Sequence, residues 1–257
     1  MIIAFANQKG GVGKTTSAIN IAASLGVLGK KVLLCDFDPQ SNATTGVGYK
    51  DIRKISLSIY DVIIGRCAVN EAMLKTPYEN LWLLPSSIDL AGAEIEFIED
   101  SIAERLYRFK NTVSVIDKDF DYIIIDCPPS IGILTLNALC GSDYVVIPMQ
   151  CEFFALQGLQ QLTNNLNKVR RLYNPKVSIA GILITMYDGR LNLSVQVLSQ
   201  LKQFFPNEIL KTLVPRATRL AEAPSHGMPI YYYDMKSKSN ECYMNLAKEI
   251  DKKCIKI

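Results

Sequence analysis

Asn7-Gln8-Lys9-Gly10-Gly11-Val12-Gly13-Lys14-Thr15-Thr16 follows a short apolar run, Ile2 to Ala6, and opens a helical pattern reaching about Leu28. A strand, a glycine-rich turn and a helix N-terminus are the three parts of a phosphate site. The glycines let backbone N–H groups close around phosphate oxygens, and the aligned peptide dipoles add positive potential there. In this frame Lys14 reaches the β/γ-phosphates and the Thr15 hydroxyl holds Mg²⁺. Gly10, Gly11, Val12, Gly13 and Thr16 complete the cradle. One detail departs from the ordinary G-x-x-x-x-G-K-[ST] pattern: the first glycine's slot holds Gln8, and a second lysine, Lys9, follows it. A charge at the bend of a phosphate loop points to a phosphate contact of its own.

Outward from this loop, strands and helices alternate, the pattern of a parallel sheet with helices on both faces. The expected strands are 31–35, 81–84, 122–126, 144–148, 177–185 and 209–214. The expected helices are 58–64, 94–109, 133–139, 156–173, 191–205 and 239–250. The helix over 94–109 rests on the spacing of Ile95, Ile98, Ile102 and Leu106. Residues 38–48 are too rich in Gly, Asn, Thr and Ser for either element and are expected as loop. Without an internal repeat or a Pro/Ser-rich linker, residues 1–257 form one doubly wound α/β domain with a mostly parallel sheet.

Composition narrows the class. Hydrophobic residues make up 49% of the 257, enough for a sizeable core. No apolar run of about 18 residues is present, and Met1 to Ala6 lacks the basic start of a signal peptide. The seven cysteines form no C-x-x-C pair and are expected as free thiols of a reducing cytoplasm. Charge is uneven: residues 1–153 carry 13 Lys/Arg against 18 Asp/Glu, and residues 154–257 carry 15 against 7. The basic half invites an acidic partner, nucleic acid or anionic lipid.

In open α/β sheets ligands sit beyond the carboxyl ends of the strands, so Asp36, Asp38 and Asp126 are expected to converge on the loop. Asp126 follows four apolar residues, the Walker B arrangement, and can hold Mg²⁺ through water. Asp38 begins the polar loop, where a carboxylate can orient an attacking water. Guanine recognition would want N-K-x-D, whereas the nearest slot reads Thr185-Met186-Tyr187-Asp188, so ATP is the expected nucleotide.

With these residues in place the chain resembles the ParA/Soj partitioning ATPases of the deviant Walker A (ParA/MinD) superfamily. The carriers are NQKGGVGKTT at 7–16, CDFDPQSNATTG at 35–46, SSIDLAGAEIE at 86–96 and YIIIDCPPS at 122–130. PMQCEFFALQGL at 148–159, TMYDGRLNL at 185–193 and VPRATRLAEAPSHGMPI at 214–230 extend it over nearly the whole chain. The resemblance implies an ATPase that dimerises on ATP, with Lys9 reaching across the dimer to the partner's phosphates and Asp38 serving hydrolysis. It places Met186, Pro215 and Ala217 at the adenine. The family commonly has Asn where this chain has Ala217, which leaves backbone contact alone there. It implies Arg190 and Arg219 as contacts to the backbone of non-specific double-stranded DNA. Lys168, Arg170, Arg171 and Lys236 are candidates for the same patch. It also implies a ParB/Spo0J-like centromere-binding partner that stimulates hydrolysis, and a cytoplasmic, nucleoid-associated protein without a membrane anchor. His226, the one histidine, falls in the PSHG segment and is expected to be structural, and Trp82 is expected in the core.

The nearest rival is a MinD-like membrane-associated positioning ATPase. It needs an amphipathic C-terminal anchor, and the tail Asp251 to Ile257 is basic, short and without Phe, Trp or Leu. An iron–sulfur reductase of this fold needs bridging cysteines at positions that Cys127 and Cys140 do not match. A dethiobiotin-synthetase-like enzyme would lack the segments at 86–96 and 214–230. A nucleotide binder without turnover would have no use for Asp38.

Overall fold

The computed structural model describes residues 1–97 and 101–255. The chain begins β1 (Ile2–Phe5), α1 (Lys14–Val27), β2 (Val32–Asp36), α2 (Asn42–Gly46), α3 (Ile59–Ile63) and α4 (Val69–Ala72). It continues β3 (Leu74–Lys75), β4 (Leu81–Leu84), α5 (Ala93–Glu96), α6 (Ile102–Val113), β5 (Tyr122–Asp126), α7 (Ile133–Gly141) and β6 (Tyr144–Gln150). Last come α8 (Ala155–Leu172), β7 (Ser178–Thr185), α9 (Asn192–Phe204), α10 (Thr218–Glu222), α11 (Ile230–Tyr233) and α12 (Lys238–Ile255).

The strands form one sheet in the order β3-β4-β2-β5-β1-β6-β7. Every pairing is parallel except the short β3–β4 contact at the edge. The period-2 geometry of a strand divides the apolar runs between two layers. Along β5, Ile123 and Ile125 enter the layer that contains Leu106, Phe109, Leu139 and Leu162. Ile124 enters the opposite layer with Ile21, Leu25, Tyr243 and Leu246, from α1 and α12. The register sets the chemistry at the carboxyl edge: Phe5 pairs Asp126, and Asp126 pairs Asp36.

Four expectations are corrected. The 38–48 loop contains α2, because Asp36 Oδ2 accepts from both the Thr44 amide and the Thr44 hydroxyl, each at 2.7 Å, and so fixes a helical turn. The helix over 94–109 is two helices, α5 and α6. Ile98 lies outside the described residues, and Ile95 and Ile102 stay exposed at 73% and 62%. The buried face of α6 is Leu106, Phe109 and Val113, and its start is set by the Ser101–Glu104 capping box. Residues 209–214 form no strand: isolated bridges at Ile209 and Pro215 and a few backbone bonds reach β7 and the residues after it. The amides of Lys211 and Thr212 turn instead to the Glu249 carboxylate on α12, at 2.7 and 3.2 Å. Trp82 is half-buried rather than core, edge-on to Phe120 at 5.6 Å with the Lys31 ammonium over its ring.

The tail is packed. Asp251 accepts from the Tyr122 hydroxyl at 2.5 Å and pairs with Lys30 at 3.1 Å, and Cys254 is buried. Lys256 and Ile257 of that tail lie outside the described residues. Among the described residues no helix is long and apolar enough to cross a membrane.

Candidate nucleotide site

The loop between β1 and α1 is held from three sides. Gly11 and Gly13 take φ of +72° and +82°, a left-handed backbone that a side chain would strain. The Thr185 hydroxyl, at the end of β7, lies 2.8 Å from the Val12 carbonyl and 3.1 Å from that of Met149. Gln150, at the end of β6, donates to the Gly11 carbonyl at 2.8 Å. Asn7 ties the loop's start to the Pro148 carbonyl at 2.7 Å and accepts from the Lys9 amide. The loop's carbonyls are thereby turned into the protein. Thr185 and Gln150 lie in segments that carry the resemblance, but neither had an expected role, and their place at carboxyl ends of strands was the available signal.

Lys14 is buried, 6% exposed, and its ammonium donates to the Lys9 carbonyl at 3.1 Å. Burial lowers its pKa, against the pull of Asp126, Cys127 and Asp38, which favour the charged form. Such a cation lacks a full anionic partner, which is what a phosphate supplies. Asp126 shows the complementary need. It is wholly buried, and neither carboxylate oxygen has a hydrogen bond of ordinary geometry. Burial first, and Asp36 beside it second, raise its pKa well above the usual carboxylate range, while the nearby Thr15 hydroxyl tempers the shift. Burial also raises Asp36, to about 6, despite its bonds from Thr44. A buried carboxylate with both oxygens unsatisfied, beside Thr15, fits a divalent cation. Mg²⁺ in particular binds through one or two carboxylates plus phosphates and water rather than a protein cage.

Asp38 is 7% exposed and accepts from the Gln40 amide at 2.9 Å, while its own amide donates to Asp36 at 3.3 Å. It lines a cavity of about 330 Å³ together with Gly10, Lys14, Thr15, Asn42 and Pro129. A second cavity of about 320 Å³ is walled by Val214, Pro215, Arg216, Ala217, Leu220 and Tyr243. The two share Gly13, Thr16 and Met186, so they make one groove with a polar end and a largely apolar end. Met186 itself takes φ of +50° where the groove turns. Met186, Pro215 and Ala217 therefore meet at the apolar end, with the phosphate residues at the other. Arg216, Thr218 and Tyr243 also line that end and were not singled out from the sequence.

The other candidates lie outside the groove. Lys9 is half-exposed and its ammonium pairs with the Glu152 carboxylate. Arg190 grips Asp188 through two guanidinium bonds, at 2.9 and 2.7 Å, yet its side chain is 89% exposed. Arg219 pairs with Glu222 at 3.4 Å and Asp234 at 3.6 Å and leans on the Tyr233 ring. His226 stacks on the same Tyr233, a packing role. All seven cysteines are free, with Cys35 and Cys127 buried and their thiols pushed well up by burial. Among the described residues no cluster of His, Cys, Asp and Glu has the make-up of a metal cage.

Known proteins share this architecture. A family model described as an AAA domain (AAA_31) matches residues 1–179. The sporulation initiation inhibitor protein Soj of Bacillus subtilis (strain 168) is 48% identical over 249 residues, 97% of each chain. The chromosome-partitioning ATPase Soj of Treponema pallidum (strain Nichols) is 45% identical over 96% of each. A solved structure of cobyrinic acid a,c-diamide synthase from Mycobacterium smegmatis, with bound ATP analog and magnesium, is 36% identical. It matches with a TM-score of 0.85, covering 96% of this chain and 92% of that one. On identities of this extent over nearly the whole chain, it belongs to the ParA/Soj family of partitioning ATPases.

Proposed function

We propose that this chain is an ATP-dependent DNA-segregation ATPase that pairs with a second copy on ATP and binds duplex DNA without reading sequence. Hydrolysis stimulated by a ParB/Spo0J-like partner then releases it. The observation that carries the nucleotide half is the Asp126 carboxylate, buried and unsatisfied beside Lys14 and Thr15 at the polar end of a groove. The Soj relatives, at 45–48% identity, weigh more for the segregation role than the more distant diamide synthase.

In this reading Lys14 and the amides of Gly10 to Thr16 hold the phosphates. Met186, Pro215 and Ala217 enclose the adenine. Thr15 and Asp126 hold Mg²⁺, which when bound neutralises charge on the phosphates. Asp38 orients the attacking water, fixed in place by its contacts to Asp36 and Gln40. Its neighbour α2, pinned to Asp36, makes the catalytic carboxylate part of a rigid turn rather than a free loop. Lys9 crosses to the second copy. Arg190 and Arg219 meet DNA phosphates, a role that suits a planar guanidinium because it grips oxygens without discriminating bases. The Soj relatives, similar over nearly the whole chain, favour this over the membrane-associated rival.

Asp38→Ala tests the catalytic assignment. The variant is expected to bind ATP as the wild type does, to lose hydrolysis, and to accumulate as an ATP-bound dimer in sedimentation. Undiminished turnover in that variant sinks the role of Asp38. Co-sedimentation of the wild type with ATP and anionic vesicles, in preference to DNA, would hand the reading to the membrane rival.

A further inference from the structure

From Ser86 to Phe97, after the end of β4, the chain carries three carboxylate residues, Asp89, Glu94 and Glu96, and no Lys or Arg. The segment is anchored from within by Leu90, Ala93 and Phe97, all buried. Two further apolar residues face the other way: Ile88 and Ile95 are 67% and 73% exposed. One apolar face is enough to fold such a stretch, and this one keeps a second face in water. Asp89 is exposed and has no hydrogen bond or ion pair among the described residues. Glu96, also exposed, accepts from the Tyr60 hydroxyl at 3.2 Å. The guanidinium groups nearby are already matched, Arg53 by Asp51 at 3.1 Å and Arg66, over the Tyr60 ring, by Asp61 at 3.8 Å.

This face opens onto a cavity of about 500 Å³ walled by Pro39, Gln40, Ser41, Ile52, Ile55 and Ile88, with Asp89 at its side. Three of those residues form the turn that follows Asp38. The Gln40 amide donates to Asp38 Oδ1 at 2.9 Å, and Ser41 takes φ of +54°, a left-handed backbone uncommon for a residue with a side chain. One wall of the cavity is therefore the back of the turn that holds Asp38.

We propose that this groove is the docking site for a basic, amphipathic segment of a partner protein, and that its occupancy resets the turn at 39–41 and with it the Asp38 carboxylate. The inference rests on the partner-stimulated hydrolysis proposed above and deepens it, by giving the stimulus a place to act. The occupant follows from the lining. Isoleucines around a cavity call for an apolar face, and carboxylates without cations call for Lys or Arg. One amphipathic segment supplies both at once. DNA and anionic lipid would bring phosphates against Asp89 and Glu96, and like charges oppose that docking. The contact is well placed to act on the reaction, because a shift of about 1 Å in a positioning group changes a rate strongly.

The test uses the full-length protein with saturating Mg·ATP and, as probe, a fluorescein-labelled Leu/Lys peptide that forms a basic amphipathic helix. A Leu/Glu peptide of the same pattern is the control. Anisotropy is expected to show the Leu/Lys peptide bound at least about tenfold more tightly than the control, with affinity falling as salt rises. Phosphate release is expected to quicken at least about threefold with the Leu/Lys peptide. Ile88→Ser with Asp89→Lys should lose about tenfold in peptide affinity, together with the stimulation, since a few anchors carry most of such a contact. Basal turnover and ATP affinity should not change in that variant. Asp119→Lys, which reverses an exposed carboxylate outside the groove, should bind the peptide as the wild type does, and so separates the groove from general attraction to acid. A double variant that binds and responds like its parent overturns the docking site. Binding that leaves turnover unchanged overturns the link to the Asp38 turn. Self-association of the wild type without ATP or peptide, abolished in the double variant, would give the groove to a second copy and overturn the proposal. Undiminished turnover in Asp38→Ala, by contrast, fails the underlying reading and takes the effect on Asp38 with it, whatever the peptide does.

Discussion

The nucleotide groove and the proposed DNA surface are built on opposite plans. At the nucleotide groove every decisive charge is buried and positioned by backbone: Lys14, Asp36, Asp38 and Asp126 are each less than a tenth exposed. At the arginine-bearing surface, Arg190 and Arg219 are largely in water, steadied only by exposed carboxylates. Burial makes a charge costly to leave unmatched, so the groove demands a specific ligand of opposite sign in one place. Exposure makes each arginine contact weak and interchangeable, which suits a surface that holds phosphate anywhere along a duplex. Specificity and tolerance are thus separated in space within one chain.

Removing a charge should accordingly cost far more in the groove than on the surface. Lys14→Ala is expected to weaken ATP binding by about a hundredfold, since a buried charge-assisted bond is lost. Thermal unfolding without nucleotide should hold steady or improve, because the variant no longer buries a cation. A large fall in melting temperature with ATP binding retained would break the contrast.

Arg190→Glu with Arg219→Glu is expected to abolish DNA binding while ATP-driven dimerisation persists. The single change Arg190→Ala should only flatten the salt dependence, by about 0.9 per lost phosphate contact in each copy of the dimer. Filter binding over a salt series reads both. Binding by the double variant at moderate salt would move the DNA surface elsewhere.

A subtler probe is Thr44→Val, which takes from the buried Asp36 its hydroxyl partner and leaves the Ser86 amide without the acceptor it uses at 3.1 Å. A loss of about 1–3 kcal/mol in urea unfolding is expected. A neutral result would mean that the Thr44 hydroxyl does not help to hold Asp36 and Ser86. The smallest effect is at Asp188, whose pKa the Arg190 side chain lowers to about 2. Its value lies below that of an ordinary carboxylate. Whatever the pair adds to the fold is therefore present above about pH 4 and fades as pH falls toward 2. Carbon-detected NMR titration should show the low value in the wild type and an ordinary one in Arg190→Ala.

The contrast also explains what could be read from the sequence. The loop at 7–16, Asp36, Asp38 and Asp126 were legible because their places follow from strand ends and backbone shape. The buried runs marked β1, β2, β4, β5, β6 and β7 almost to the residue. What escaped depended on partners distant in the chain. That Thr185 and Gln150 brace the phosphate loop follows from which strands flank β1, and local pattern carries no such information. The segment at 209–214 has the apolar content of a strand, but nothing in its own residues could show that Glu249, on α12, draws its amides away. The helix start at Ser101 was obscured by isoleucines that turned out to face water.

The run at 208–214 also governs how the protein behaves in concentrated solution. β7, SIAGILIT, ends the sheet and would present an open row of peptide groups on an apolar strand, a template for other chains. The run from Glu208 to Val214 covers it, exchanging bonds with Ile182 at 2.7 and 3.0 Å and with Ile184 at 2.9 Å. Gly181 admits the cover, because a methyl group there would fall 2.4 Å from Leu210. The cover follows the edge without completing a strand, so it caps the row of donors and acceptors but does not present a new row of its own. Damage to Gly181 or Glu249 would then emerge as clumping on storage and during expression before any change in turnover.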